Sequence, residues 1–290
     1  MRSGFVAIVG RPNVGKSTLI NAMVGSKVSI TSVRPQTTRN TIRGVVHRPE
    51  AQLVLVDTPG LHKPKTALGR RLNELVGGTL ADADVVVVVL DATAEAGPGD
   101  RLVSERAHGS GSPVILALNK IDKASRGAVA RHLTEAAKWD FAAYVPVSAL
   151  TGESVTALLD EIQSLLPEGP PYFPPEMITD QPEQILVAEI VREKFLSRLR
   201  EELPHSLAVI VTDKEERADG SLFFAVDLKV ERQSQKGIVI GEGGKMLAAA
   251  GADARKELES IFGVKVFLEL KVGVEPDWQQ HDSLLDRLGF

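Results

Sequence analysis

The chain has 290 residues, 43% hydrophobic and 25% charged, with mean hydropathy near zero and a formal net charge of -4. Such a composition describes a folded protein with room for about two domains and excludes wholesale disorder. No cysteine is present, which excludes a disulfide scaffold, a thiol nucleophile, a thiolate zinc site and an iron-sulfur cluster. The apolar run at the start is too short and too broken by glycine and charge for a signal peptide. No stretch nears the roughly 18 apolar residues of a membrane helix.

From the start to residue 166, short apolar runs alternate with helix-period segments, the pattern of a mostly parallel sheet with helices on both faces. The runs are 5–9, 53–57, 85–90, 114–118 and 144–147; the weaker run 42–47, interrupted by Gly44, is expected at an edge. Five prolines between 167 and 175 then predict a stiff linker over 167–182. Beyond it, Val187, Val191, Phe195, Leu199 and Leu203 recur at helical spacing, predicting an amphipathic helix over 183–203. Alternation over 222–230 and 264–272 predicts half-covered strands. A further short strand is expected at 237–240 and a helix at 245–262. Residues 1–166 hold 19 basic and 15 acidic residues, whereas 167–290 hold 15 and 23. The predicted organisation is a first domain over 1–166, the linker, an α+β domain over 183–275 and a helical tail over 276–290.

The first domain carries the chemistry. Gly10, Arg11, Pro12, Asn13, Val14, Gly15, Lys16 and Ser17, followed by Thr18, form a GxxxxGK[ST] loop between a strand and a helix. Glycines there let backbone N–H groups approach phosphates, the helix N-terminus favours anions, Lys16 bridges the outer phosphates and Ser17 ligates Mg²⁺. Asp57, Thr58, Pro59 and Gly60 end the third run, where a carboxylate serves the metal and a backbone N–H faces the γ-phosphate. Asn119, Lys120, Ile121 and Asp122 follow the fifth run. An Asp122 carboxylate accepts from both N1–H and the 2-amino group of guanine, which adenine does not offer together, so GTP/GDP is predicted. Ser148 and Ala149 follow the last run and would set a backbone N–H near the guanine oxygen. The six histidines show no metal-ligand spacing, and Trp139 and Trp278 are expected to be packing residues.

The strings GRPNVGKSTLIN, RPQTTRN, DTPGLHKPK and NKID resemble the bacterial Era GTPases, whose first domain is a Ras-like α/β P-loop NTPase. By that resemblance Thr38, rather than Thr37, closes over Mg²⁺ when the γ-phosphate is present. Asn13 matches an asparagine that helps hold K⁺ against the phosphates, with a loop-shaping role as the alternative. Leu61 stands where Ras-like switches place the glutamine that orients attacking water, so slow intrinsic hydrolysis is expected. Lys16, Thr38, Gly60 and Asn13 are the residues assigned to catalysis, and Ser17, Thr38 and Asp57 to the metal.

In the second domain the string GIVIGEGGK resembles the GxxG loop of a KH domain, and the element order resembles the type II KH arrangement. The resemblance implies RNA contacts by Arg232, Lys236, Gly241, Gly243, Gly244 and Lys245, with Lys229 nearby, and doubtful contact by Glu242. It also implies binding to the 3′ end of 16S rRNA, a role in maturation of the 30S ribosomal subunit, and a cytoplasmic monomer. A scaffold with structural nucleotide and a GTPase acting on another RNA are the rival readings. Peripheral association with the inner membrane face is a third; the acidic polar faces of 183–203 and 277–289 argue against it.

Overall fold

The computed structural model describes residues 1–32, 37–60, 64, 66–200, 203–204 and 206–288. They form two compact units: Met1–Lys65 with Gly69–Asp180, and Thr66–Leu68 with Gln181–Phe290.

The first unit is built on six strands, β1 (Arg2–Gly10), β2 (Ile42–Arg48), β3 (Ala51–Asp57), β4 (Val85–Asp91), β5 (Val114–Asn119) and β6 (Ala143–Pro146), ordered β2-β3-β1-β4-β5-β6. All neighbours are parallel except β2 against β3. The strands are apolar throughout because both faces are covered. Val6, Ile8, Val87 and Val89 face one core with α1 (Lys16–Val24) and α5 (Val155–Leu165). Ala7, Val9, Val86 and Val88 face the other, with α2 (Ala67–Ala81), α3 (Pro98–His108) and α4 (Arg126–Ala136). The expected edge strand is β2, and its glycine has a reason: a Cβ on Gly44 would lie 2.7 Å from a Val24 methyl, so glycine lets the strand run close beside α1. The carboxyl ends of β1, β3, β4, β5 and β6 open on one edge of the sheet, where such folds place ligands.

The proline-rich stretch expected as a stiff linker over 167–182 is instead part of the first unit through Asp180. The buried Gln52 amide accepts from the backbone N–H groups of Tyr172 (2.6 Å) and Phe173 (3.0 Å) and donates to the Phe173 carbonyl (2.7 Å). Val45 N–H donates to the Ile178 carbonyl at 2.8 Å, and the Tyr172 ring meets Phe5 edge-on at 4.9 Å. Prolines removed helix and ladder donors from this stretch, leaving its remaining polar groups to be satisfied by the sheet edge.

The second unit runs α6 (Glu183–Leu196), β7 (Ala208–Glu216), β8 (Leu222–Val230), α7 (Gln233–Ile240), α8 (Lys245–Phe262), β9 (Val266–Val274) and α9 (Asp282–Arg287). Its sheet is ordered β7-β8-β9, antiparallel then parallel. Phe224, Val226, Leu228 and Val230 are buried on one face as the alternation predicted. The strand expected at 237–240 is instead the last turn of α7. The Gln235 side chain accepts from the backbone N–H groups of Glu231 and Arg232, both at 3.0 Å, and so starts a helix just after β8. The β-branched run Ile238-Val239-Ile240 had pointed to a strand, but this capping overrides it. The helix expected over 183–203 ends at Leu196, although Leu199 and Leu203 stay buried. The tail over 276–290 joins this unit, with Trp278 fully buried and its indole N–H on the Ser206 carbonyl at 3.0 Å. No described helix is long and apolar enough to cross a membrane.

Candidate nucleotide site and candidate RNA surface

A cavity of about 660 Å³ opens at the carboxyl edge of the first sheet. Its walls bring together Pro12, Asn13, Gly15, Lys16, Ser17, Thr18, Thr38, Gly60, Asn119, Lys120, Asp122 and Ala149, all named from the sequence. Gly15 caps α1 at φ +99°, a conformation strained for any side chain. A Cβ on Gly60 would stand 2.8 Å from the Pro12 nitrogen, so glycine is what lets the loop after β3 approach the phosphate loop.

Inside, the Lys16 ammonium donates to the carbonyls of Arg11 (3.0 Å) and Gly10 (3.2 Å). Burial lowers its pKa to about 8, with nearby Asp57 offsetting part of that cost. Asp57 is fully buried, and burial pushes its carboxyl above the usual range against the pull of Ser29, Ser17, Lys16 and Thr38. Three hydroxyls converge on its Oδ2: Ser29 at 2.6 Å, Ser17 at 2.7 Å and Thr38 at 3.2 Å, with Ser17 and Thr38 3.1 Å apart. Its other oxygen, Oδ1, is buried with no hydrogen-bond partner among the described residues. A compact all-oxygen donor set with an orphaned carboxylate oxygen suits Mg²⁺.

At the far end, Asp122 is held by a 2.7 Å bond from Ser148 Oγ. Asn119 does not offer its amide to the cavity: Nδ2 donates to the Val14 carbonyl and Oδ1 accepts from Ala149 N–H, both at 2.9 Å, bracing the phosphate loop against the 148–149 turn. Lys120, at φ +67°, donates to the Asn13 carbonyl (2.6 Å) and to Asp91 (2.5 Å). Burial alone would raise Asp91, but hydrogen bonds from Lys120 and Thr93 outweigh it and hold the carboxyl below its ordinary value.

Other named residues stand behind the wall. Val14 lies in the core, Thr58 donates to the Ile8 carbonyl at 2.7 Å, Gly10 ends β1, and Pro59 is buried just after β3. Arg11 turns away to pair with Asp100 at 3.1 Å near the start of α3. Leu61, with its argument for slow hydrolysis, lies outside the described residues. Sequence reasoning missed Ser29 and its clamp. Asn21 Oδ1 accepts from the N–H groups of Val28 (2.9 Å) and Ser29 (3.0 Å), and its Nδ2 donates to the Ser29 carbonyl at 2.8 Å. A serine in a loop carries no spacing signal. Leu150, 71% exposed, and Lys123 also line the cavity unanticipated.

In the second unit the GxxG loop joins two helices, α7 and α8, not a strand and a helix. Gly241, Gly243 and Gly244 have φ of +74°, +56° and +77°, and a Cβ on Gly241 would sit 2.9 Å from the Met246 nitrogen. Arg232 at the start of α7, Lys236 within it and Lys245 at the start of α8 flank this turn. Lys229 differs, for it pairs with Asp227 at 2.8 Å on the sheet face away from the helices.

Both units have counterparts among known proteins. Residues 5–120 match the family described as 50S ribosome-binding GTPase, and residues 202–279 match the KH domain family. The chain is similar to GTPase Era of Mycobacterium avium (strain 104), 50% identical over 295 residues covering 100% of this chain and 99% of the relative. GTPase Era of Mycobacterium tuberculosis (strain ATCC 25177 / H37Ra) is 48% identical, covering 99% and 98%. A crystal structure of an Era variant from Aquifex aeolicus bound to GDP and aluminium fluoride superposes with a TM-score of 0.96 at 41% identity, covering 100% of this chain and 99% of that one. Era in complex with MgGDPNP and nucleotides 1506–1542 of 16S ribosomal RNA superposes equally well, with the same identity and coverage.

Proposed function

The chain belongs to the family of Era GTPases, and from that premise we propose that it is a GTP-driven switch that binds the 3′ end of 16S rRNA through its KH domain and acts, in the cytoplasm, in maturation of the 30S subunit. As a member of that family it hydrolyses GTP to GDP and phosphate and uses Mg²⁺. The observation that carries the site assignment is the convergence of Ser17, Thr38 and Ser29 on one oxygen of a buried Asp57, beside Lys16 and within one cavity with Asp122.

Ser17 and Thr38 would hold Mg²⁺, with Asp57 behind them; the ion neutralises charge on the terminal phosphates when bound. Lys16 gives up its carbonyl partners for phosphate oxygens, the glycine-lined loop offers N–H groups, and Asp122 reads guanine. The Gly60 N–H reports the γ-phosphate, and water attacks directly without a covalent intermediate. Asn13 is the candidate K⁺ ligand, tested by turnover in K⁺ against Na⁺; equal rates would dismiss that role. Arg232, Lys236, Lys245 and the glycines of the α7–α8 turn take the RNA backbone.

The reading is tested by titrating a single-stranded RNA copying the 3′ end of 16S rRNA, first with GDP and then with a non-hydrolysable GTP analogue. Tighter binding with the analogue is expected. Equal tight binding in both states would support a scaffold with structural nucleotide, and none in either would point to another RNA.

A further inference from the structure

Extending the RNA reading above, on which it rests, we propose that the connection from α8 to β9 carries a second anchor for single-stranded RNA, formed by Arg255, Lys265 and the ring of Phe267. The second unit has more acids than bases, so any anion site needs its local acids paired or outnumbered. On α8 Asp253 is paired with Arg198 and Glu257 with Lys194, while Glu259, which lines the cleft itself, accepts from the Val266 N–H at 3.2 Å through one oxygen and is outnumbered there by Arg255 and Lys265. By contrast Arg255 and Lys265 are exposed and have no acidic partner among the described residues. The helix therefore presents positive charge outward from a unit whose overall balance is negative.

These two cations share an open cleft of about 590 Å³ with Phe267. Phe267 is 41% exposed on the sheet face away from the helices, and Arg217 lies over it with its guanidinium 4.5 Å from the ring centre and 5.2 Å from that of Phe223. A planar cation held on an aromatic ring is a surface on which unpaired bases stack, while Arg255 and Lys265 meet phosphates. An acidic peptide would use the charges but has nothing to place on the aromatic platform, so RNA is the occupant that accounts for both. Arg255 lies ten residues along α8 from Lys245, or roughly 15 Å at the helical rise. A GxxG loop clamps only about four nucleotides, and a strand longer than that, leaving the loop along α8, reaches the cleft.

The experiment measures binding of full-length protein, with Mg²⁺ and a non-hydrolysable GTP analogue, to RNAs of about five and about twelve nucleotides copying the 3′ end of 16S rRNA. The double variant Arg255→Gln/Lys265→Gln is expected to bind the longer RNA about tenfold more weakly. Its plot of log affinity against log salt should flatten by ~1.4, from two contacts at ~0.7 each. Phe267→Ala is expected to lose at least about fivefold through stacking, with the salt slope kept. Neither variant should change affinity for the short RNA, which also reports that the unit is folded. Unchanged affinity for the longer RNA, equal loss on both RNAs, or an acidic peptide that binds the cleft without displacing the longer RNA would each overturn the second anchor. If the unsubstituted protein binds neither RNA, the RNA reading itself fails.

Discussion

At the scale of single residues, the phosphate site is set by what burial does to two opposite charges. Lys16 sits among carbonyls with its pKa brought down to about 8, and phosphates would raise it again. Above pH 8 the free protein sheds a proton that the complex retains, so nucleotide binding then requires proton uptake. Affinity for GDP should be flat below pH 8 and fall as pH rises beyond it, by up to about tenfold per unit. Titration with a fluorescent GDP between pH 6.5 and 9.5 checks this; a flat curve in the unsubstituted protein would refute it, and Lys16→Ala should bind weakly at every pH. Ser29 makes a different kind of contribution, a buried hydrogen bond to a carboxylate of the sort worth about 1.5–3 kcal/mol. Ser29→Ala should raise the Mg²⁺ concentration needed to retard GDP release by tenfold or more. Release in the presence of chelator should stay unchanged, since the serine acts only through Asp57.

At the scale of elements, α7 shows how one side chain decides between helix and strand. Gln235 accepts two N–H groups that would otherwise be orphaned at the helix start. Replacing it by alanine should destabilise the second unit by about 1 kcal/mol, as cap losses do. Chemical denaturation followed by tryptophan fluorescence reports on this, because the buried Trp278 belongs to that unit. No change in midpoint would mean that packing alone fixes the helix. The α7–α8 turn is stricter. Alanine at Gly241 meets both a left-handed φ and the Met246 backbone, so Gly241→Ala should weaken RNA binding as well as stability.

For the whole molecule, the consequential finding is where the first unit ends. Gln52 fastens Tyr172 and Phe173, and Arg43 pairs with Asp180 at 2.6 Å, so the proline-rich strap completes the edge of the sheet. A chain truncated after Asp180 should fold and bind GDP. One truncated after Leu166 should melt several degrees lower, because Phe5 and the Gln52 amide are uncovered. Gln52→Leu in the full chain should expose 168–180 to protease while leaving GDP affinity near that of the parent. Equal melting of the two truncations would show the strap to be a passenger.

Local order was enough to disclose the nucleotide chemistry. The phosphate loop, the aspartate that ends β3 and the guanine-reading Asp122 lie in short contiguous strings at strand ends, and their function depends on backbone conformation that a few glycines announce. Apolar runs likewise announced a sheet covered on both faces. What the string 237–240 would become could not be read from β-branched propensity, since a cap from Gln235 outweighed it. Nor could composition tell that a proline-rich stretch would lie against β2, because the partner that satisfies it, Gln52, is about 120 residues away. The same holds for Ser29, whose role exists only where a loop, a helix and a strand end meet. Contacts between residues distant in sequence, each decided by which buried polar group must find a partner, belong to the tertiary structure alone.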